Sequence, residues 1–157
     1  LPVLQGTDLR VIALCMSDEG MPETAADRLN IAEKLISGLT AAGVDPNHIF
    51  VDPLVQPVSV NTTFGAEFLD AIAGVAAHPA GVHTACGLSN ISYGLPERKA
   101  INRTFMAMAI ARGLDGAIVD PLDRAMMSVI TVAEALKGRD DFCMNYIQAY
   151  RAGKIVV

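Results

Sequence analysis

The sequence predicts an α/β fold built from four β-α units with parallel strands. Three observations carry that expectation. Short, almost continuous apolar runs recur along the chain, as in strands buried on both faces. Each is followed by a stretch with helical spacing of its apolar residues. Two of the runs end in Asp-Pro, at Asp52-Pro53 and Asp120-Pro121, which marks the exit from a strand. Pattern alone leaves two architectures open, a doubly wound sheet and units of a (β/α)8 barrel, and four strands cannot close such a barrel.

The first strand is expected over 9–16, Leu-Arg-Val-Ile-Ala-Leu-Cys-Met, with a loop from Ser17 to Pro22. Thr24 opens a helix, and Asp27 stands three residues on, in capping-box spacing. Leu29, Ala32, Leu35, Ile36 and Leu39 form its apolar stripe, and Gly43 ends it. The second unit places a strand at Ile49 to Asp52 and a helix from about Thr63 to Ala77. A third strand is expected within 81–87. Its helix is opened by Pro96 and closed by Gly113, with Ile101, Phe105, Met108, Ala109 and Arg112 on one side. A fourth strand spans Ala117 to Asp120, and helices over 124–136 and 141–152 finish the chain. The methionines, Met106, Met108, Met126 and Met127 among them, are expected as packing residues.

Composition narrows the function. Of 157 residues, 52% are hydrophobic and 18% charged. That surplus suits a densely buried α/β protein, or a piece that packs against something absent. No apolar run reaches the ~18 residues of a bilayer span, so no membrane partner is expected. The net charge of -5 argues against nucleic acid. Only Arg98, Lys99 and Arg103 cluster, too few for a phosphate footprint. Cys15, Cys86 and Cys143 lie far apart without metal-ligand spacing, so free thiols in a reducing cytoplasm are expected rather than disulfides or zinc. The start, Leu-Pro-Val-Leu-Gln-Gly, lacks the form of a signal peptide and has no initiating Met, which suggests a processed or truncated chain.

In parallel α/β folds, ligand groups gather at the carboxyl ends of strands. That rule selects 16–22, 52–57, 87–98 and 120–123. The third segment, Gly-Leu-Ser-Asn-Ile-Ser-Tyr-Gly-Leu-Pro-Glu-Arg, offers two glycines, several hydroxyls, an amide and a guanidinium after a buried strand. Asn90 can donate and accept, which suits a polar heterocycle whose protonation changes; an Asx-turn within its own loop is the alternative. Asp52 and Asp120 can meet a donor-rich ligand edge or carry a proton, or equally cap the helices that follow. Other chemistries lack their parts. There is no glycine-rich dinucleotide or triphosphate loop, no strand-end lysine and no paired histidine metal motif. His48 and His78 fall at the strand-entry end and read as scaffold, and His83 as a core or surface residue.

Three blocks then match one family in order and spacing: Ile-Phe-Val-Asp-Pro-Leu at 49–54, Gly-Leu-Ser-Asn-Ile-Ser at 87–92, and Ile-Asn-Arg-Thr-Phe-Met-Ala-Met-Ala at 101–109. Together they resemble the pterin-binding methyltransferases that take the N5-methyl group of methyltetrahydrofolate. These include the corrinoid/iron-sulfur protein methyltransferases, the folate domain of methionine synthase, and glycine betaine-pathway enzymes. The likeness runs on through Ala117 to Asp120 and the last helix, covering nearly the whole chain.

The resemblance implies the C-terminal half, strands five to eight, of a pterin-binding (β/α)8 TIM barrel occupying residues 1–157. Asp52 then resembles the strand-six acid that hydrogen-bonds the pterin, and Asn90 the strand-seven amide that contacts N5. Gly87 and Ser89 would shape the backbone around the ring. Arg98 and Asp120 match a family arginine and a strand-eight acid. Tyr93 departs from the pattern: the corrinoid/iron-sulfur protein enzymes carry Gln there, which leans towards the other two branches. Methyltetrahydrofolate or tetrahydrofolate would be the substrate. Cobalamin would ride on a partner corrinoid protein, since no Asp-x-His-x-x-Gly occurs here. A dihydropteroate synthase-like enzyme and an inactive structural half-barrel are the alternatives. An open half-barrel exposes two sheet edges and an apolar interior, so self-association as a homodimer is expected.

Overall fold

The computed structural model describes Leu4, residues 6–18 and residues 20–156. Residues 1–3 and 5, on which part of the leader reading rests, and residue 19 of the first loop lie outside these. Three parallel strands, β1 (Val11–Leu14), β2 (Ile49–Asp52) and β3 (His83–Thr84), form one sheet in the order β1-β2-β3. Register aligns Ile12 with Phe50 and Phe50 with His83, and sets Leu14 beside Asp52. The N–H of Ala85 donates to Val51 O at 2.8 Å, so pairing runs one residue beyond β3.

Five α-helices follow the expected plan: α1 (Ala25–Ala41), α2 (Phe64–Ala76), α3 (Arg98–Arg112), α4 (Arg124–Leu136) and α5 (Met144–Arg151). The Thr24–Asp27 capping box is complete, each side chain meeting the other's backbone N–H. Ala32, Ile36 and Leu39 of α1 pack with Ala13, Ile49 and Val51 on one face of the sheet. A second cluster joins Phe68 and Ile72 of α2 to Phe105, Met106 and Ala109 of α3, and to Met126 and Ala133 of α4.

The opposite sheet face is open. Side chains alternate along a strand, and there Ile12 is 54% exposed, Leu14 45% and Ile118 67%. This architecture, a parallel sheet with helices covering one face, is a partial barrel.

Four expectations are corrected. Among the described residues Ala117 to Asp120 is not a strand: its backbone meets only the segment just after β3, through Ile118 N donating to Cys86 O at 2.9 Å. The Asp115 carboxylate has taken the rung that a fourth strand would use, accepting from Thr84 N at 2.7 Å and from Thr84 Oγ1 at 2.9 Å. Gly116 is needed in this close approach, since a Cβ there would stand 2.9 Å from Thr84 O. Pro96 lies outside α3, which begins two residues later after Glu97 in the left-handed region (φ 48°). The last helix is broken: Asp141–Cys143 is a 3-10 turn, and Phe142 and Cys143 have positive φ before α5 starts. Finally, Met108 is 48% and Met127 38% exposed, so only Met106 and Met126 of the four named methionines are core residues.

Candidate functional site

The site is built where β2, β3 and the 117–120 segment deliver their carboxyl ends. Asp52 is the last residue of β2, on the open face of the sheet by register, and only 7% exposed. Its Oδ1 accepts from the N–H of Leu54 at 2.9 Å, closing a tight turn over Pro53 in which Leu54 has φ 65°. The Gly87 N–H faces the same carboxylate. Burial pushes the Asp52 pKa above the ordinary carboxylate value, against the pull of the Leu54 and Gly87 N–H groups. A buried, oriented carboxyl group of this kind can accept from a donor-rich ring edge or hold a proton.

After β3, Gly87 leads into a 3-10 turn over Leu88–Ser92. Buried Leu88 and Ile91 anchor it in the helical core, which turns Ser89 and Asn90 outward. Asn90 O accepts from Tyr93 N at 3.1 Å, yet among the described residues its side-chain amide makes no hydrogen bond. The Asx-turn alternative for Asn90 is therefore not realised. Asp52 and Asp120 carry such turns instead, Asp120 Oδ1 accepting from Leu122 N at 2.9 Å. Neither caps a helix. Asp123 caps α4, accepting from Met126 N at 3.1 Å, while Arg103 donates to the same carboxylate.

Arg98 is a strap for this turn. Its Nη2 donates to Ser89 O at 2.8 Å and its Nε to Ser92 Oγ at 3.0 Å. The structure thus sets the Asp52 carboxylate, with Leu54 N–H on it, and the Arg98-strapped turn that carries Ser89 and Asn90 at the carboxyl ends of β2 and β3. Asp120 is exposed and joins them only through its backbone neighbour Ile118. Tyr93 is 65% exposed, with Ser59 Oγ donating to its carbonyl at 2.6 Å.

Residues 1–120 match the family model described as pterin binding enzyme. This chain belongs to the pterin-binding enzymes. It is 33% identical over 157 residues to methylcorrinoid:tetrahydrofolate methyltransferase of Eubacterium limosum, an alignment covering 99% of this chain and 58% of that protein. It is 36% identical over 116 residues to methionine synthase of Mycobacterium tuberculosis and 34% over 116 residues to that of Mycobacterium leprae. Those two alignments each cover 69% of this chain and 10% of the relative. The chain therefore spans little more than half the length of the first relative and a tenth of the others.

Two features of this chain escape sequence reasoning. Arg28 of α1 is wholly buried beneath the β2 turn, donating from Nε to Pro53 O at 2.9 Å and from Nη1 to Glu23 O at 2.7 Å. A signal existed, because position 28 extends the buried stripe of Ala32, Ile36 and Leu39 backwards by one turn. The other is the pairing of His83 Nδ1 with Asp115 Oδ2 at 2.7 Å, beside a stacked Phe50–His83 ring pair. Nothing in the sequence joins residues 83 and 115. Among the described residues, no group of three or more His, Cys, Asp or Glu side chains could hold a metal ion, and no helix is long and apolar enough to cross a membrane.

Proposed function

We propose that this chain is strands five to eight of a pterin-binding barrel that moves the N5-methyl group of methyltetrahydrofolate to or from a cobalamin-carrying corrinoid protein. The observation that supports it most is the pairing of roles at the sheet's carboxyl end. A buried carboxyl group, Asp52, stands on β2, and an amide with no commitment to its own loop, Asn90, follows β3. The Eubacterium limosum relative is a methylcorrinoid:tetrahydrofolate methyltransferase, which supports the same chemistry here.

The residue types fit the substrate. A tertiary amine leaves poorly, so transfer demands positive character at N5 as the carbon–nitrogen bond breaks. An amide able to present either its oxygen or its NH2 can follow that change, giving stabilisation that grows towards the transition state. Asp52, held by Leu54 N–H, would orient the ring through its donor edge. Gly87 and Ser89 give the ring backbone approach, Arg98 fixes the turn that carries Ser89 and Asn90, and Asp120 contributes from the rim. The partner's cobalamin supplies the cobalt nucleophile or methyl donor.

The open sheet face supports the half-barrel reading. Exposed Ile12, Leu14, Met16 and Ile118 correspond to barrel interior, which strands one to four would cover. In the isolated chain a second copy would cover it, giving a homodimer. Titrating the chain with 5-methyltetrahydrofolate tests the function. Binding lost in both Asn90→Ala and Asp52→Asn supports it; binding indifferent to both substitutions defeats it.

A further inference from the structure

We propose that Arg28 is a positioning residue for Asp52, fixing from beneath the turn that aims its carboxylate. This rests on the pterin-site reading for its functional consequence, though not for its geometry. Arg28 is 0% exposed and is not among the ion pairs of the described residues. Burial lowers its pKa, with only through-space help from Glu67, Cys15 and Asp27. Its Nη2 has no hydrogen-bond partner at all among the described residues. An apolar side chain would fill this place with less desolvation cost, so packing alone does not account for a guanidinium here.

Its two bonds supply the account. Nε holds Pro53 O, the middle of the Asp52–Leu54 turn, and Nη1 holds Glu23 O, the end of the loop after β1. Gln56 Nε2 donates to Pro22 O at 2.5 Å, tying the same two loops at another point, and Ala25 N donates to Glu67 Oε2 at 2.5 Å between the first turns of α1 and α2. The turn needs such support because Leu54 occupies the left-handed region, which a branched side chain disfavours. Asp52 Oδ1 closes that turn from one side and Arg28 Nε from the other. Releasing Pro53 O would let the peptide rotate, breaking the Leu54–Asp52 bond and freeing the carboxylate to turn away.

The test compares R28K, D52N, the double variant and Q56L, a control that cuts a neighbouring loop tie without touching Pro53. R28Q is the second choice should R28K fail to fold. Amide hydrogen exchange of the chain alone reads the turn: protection of the Leu54 N–H is expected to fall at least about 10-fold in R28K and to persist in Q56L. Equal protection in R28K and wild type, or equal loss in Q56L, overturns the proposal. Binding of 5-methyltetrahydrofolate reads the consequence. R28K is expected to weaken it by roughly 10-fold, with little further loss when D52N is added, because both act through one carboxylate. Losses that add independently overturn the coupling to Asp52. If D52N binds as wild type does, the role given to Asp52 in the pterin site falls, while Leu54 exchange still decides what Arg28 holds.

Discussion

Replacing Asn90 by Ala should separate activity from stability. The Asn90 side chain is exposed and makes no hydrogen bond among the described residues, and the bond its residue does make, from Tyr93 N–H to its backbone oxygen, survives the substitution. Leu88 and Ile91, which anchor the turn, are untouched, as is the Arg98 bond to Ser89 O. The folding free energy should therefore change by less than about 0.5 kcal/mol, the range of surface positions. Methyl transfer loses a hydrogen bond to a nitrogen gaining positive charge, about 1.5–3 kcal/mol, which is about 10- to 150-fold in rate. If the bond strengthens only in the transition state, kcat and kcat/KM fall together. The assay is transfer from 5-methyltetrahydrofolate to cob(I)alamin, followed by cobalamin absorbance, alongside urea denaturation of the same preparations. Unchanged transfer refutes the role given to Asn90. A large fall in stability refutes the claim that its amide is held in reserve.

Three further outcomes follow from the same geometry. Asp52 has a raised folded pKa, so its stabilising contribution is complete below the ordinary value of 3.8 and is lost as pH rises through the folded value. Asp52→Asn should therefore be more stable than wild type at neutral pH, the gap closing on acidification; a pH-independent gap in urea titrations contradicts this. Asp115→Ala orphans the N–H of Thr84, a residue only 1% exposed, and should cost about 1–3 kcal/mol; equilibrium denaturation indistinguishable from wild type would show the 113–118 segment needs no such tie. Burial pushes the Cys15 and Cys86 thiols up to about 12, so in the native chain a thiol reagent should label only exposed Cys143. Mass spectrometry showing rapid labelling of all three would contradict it.

The sequence by itself located the five helical segments and three of the four expected strands, because apolar periodicity and capping chemistry are local. Thr24 with Asp27, the start of α4 at Arg124 and the strand at Ile49–Asp52 all emerge where the pattern places them. It also singled out Asp52 and Asn90, since parallel strands put their functional groups at carboxyl ends. What only the tertiary structure decided is how side chains compete for backbone groups. Asp115 takes the Thr84 N–H just before the segment where local pattern predicts a strand. Asp52 uses one oxygen to close its own turn while Asn90 leaves its amide uncommitted, the reverse of what spacing suggested for the asparagine. Arg28 lies beneath that turn because the loops after β1 and β2 meet there. The Asp115 bond to Thr84 and the Arg28 bond to Pro53 join segments whose approach depends on the packed sheet, and no run of neighbouring residues encodes that meeting.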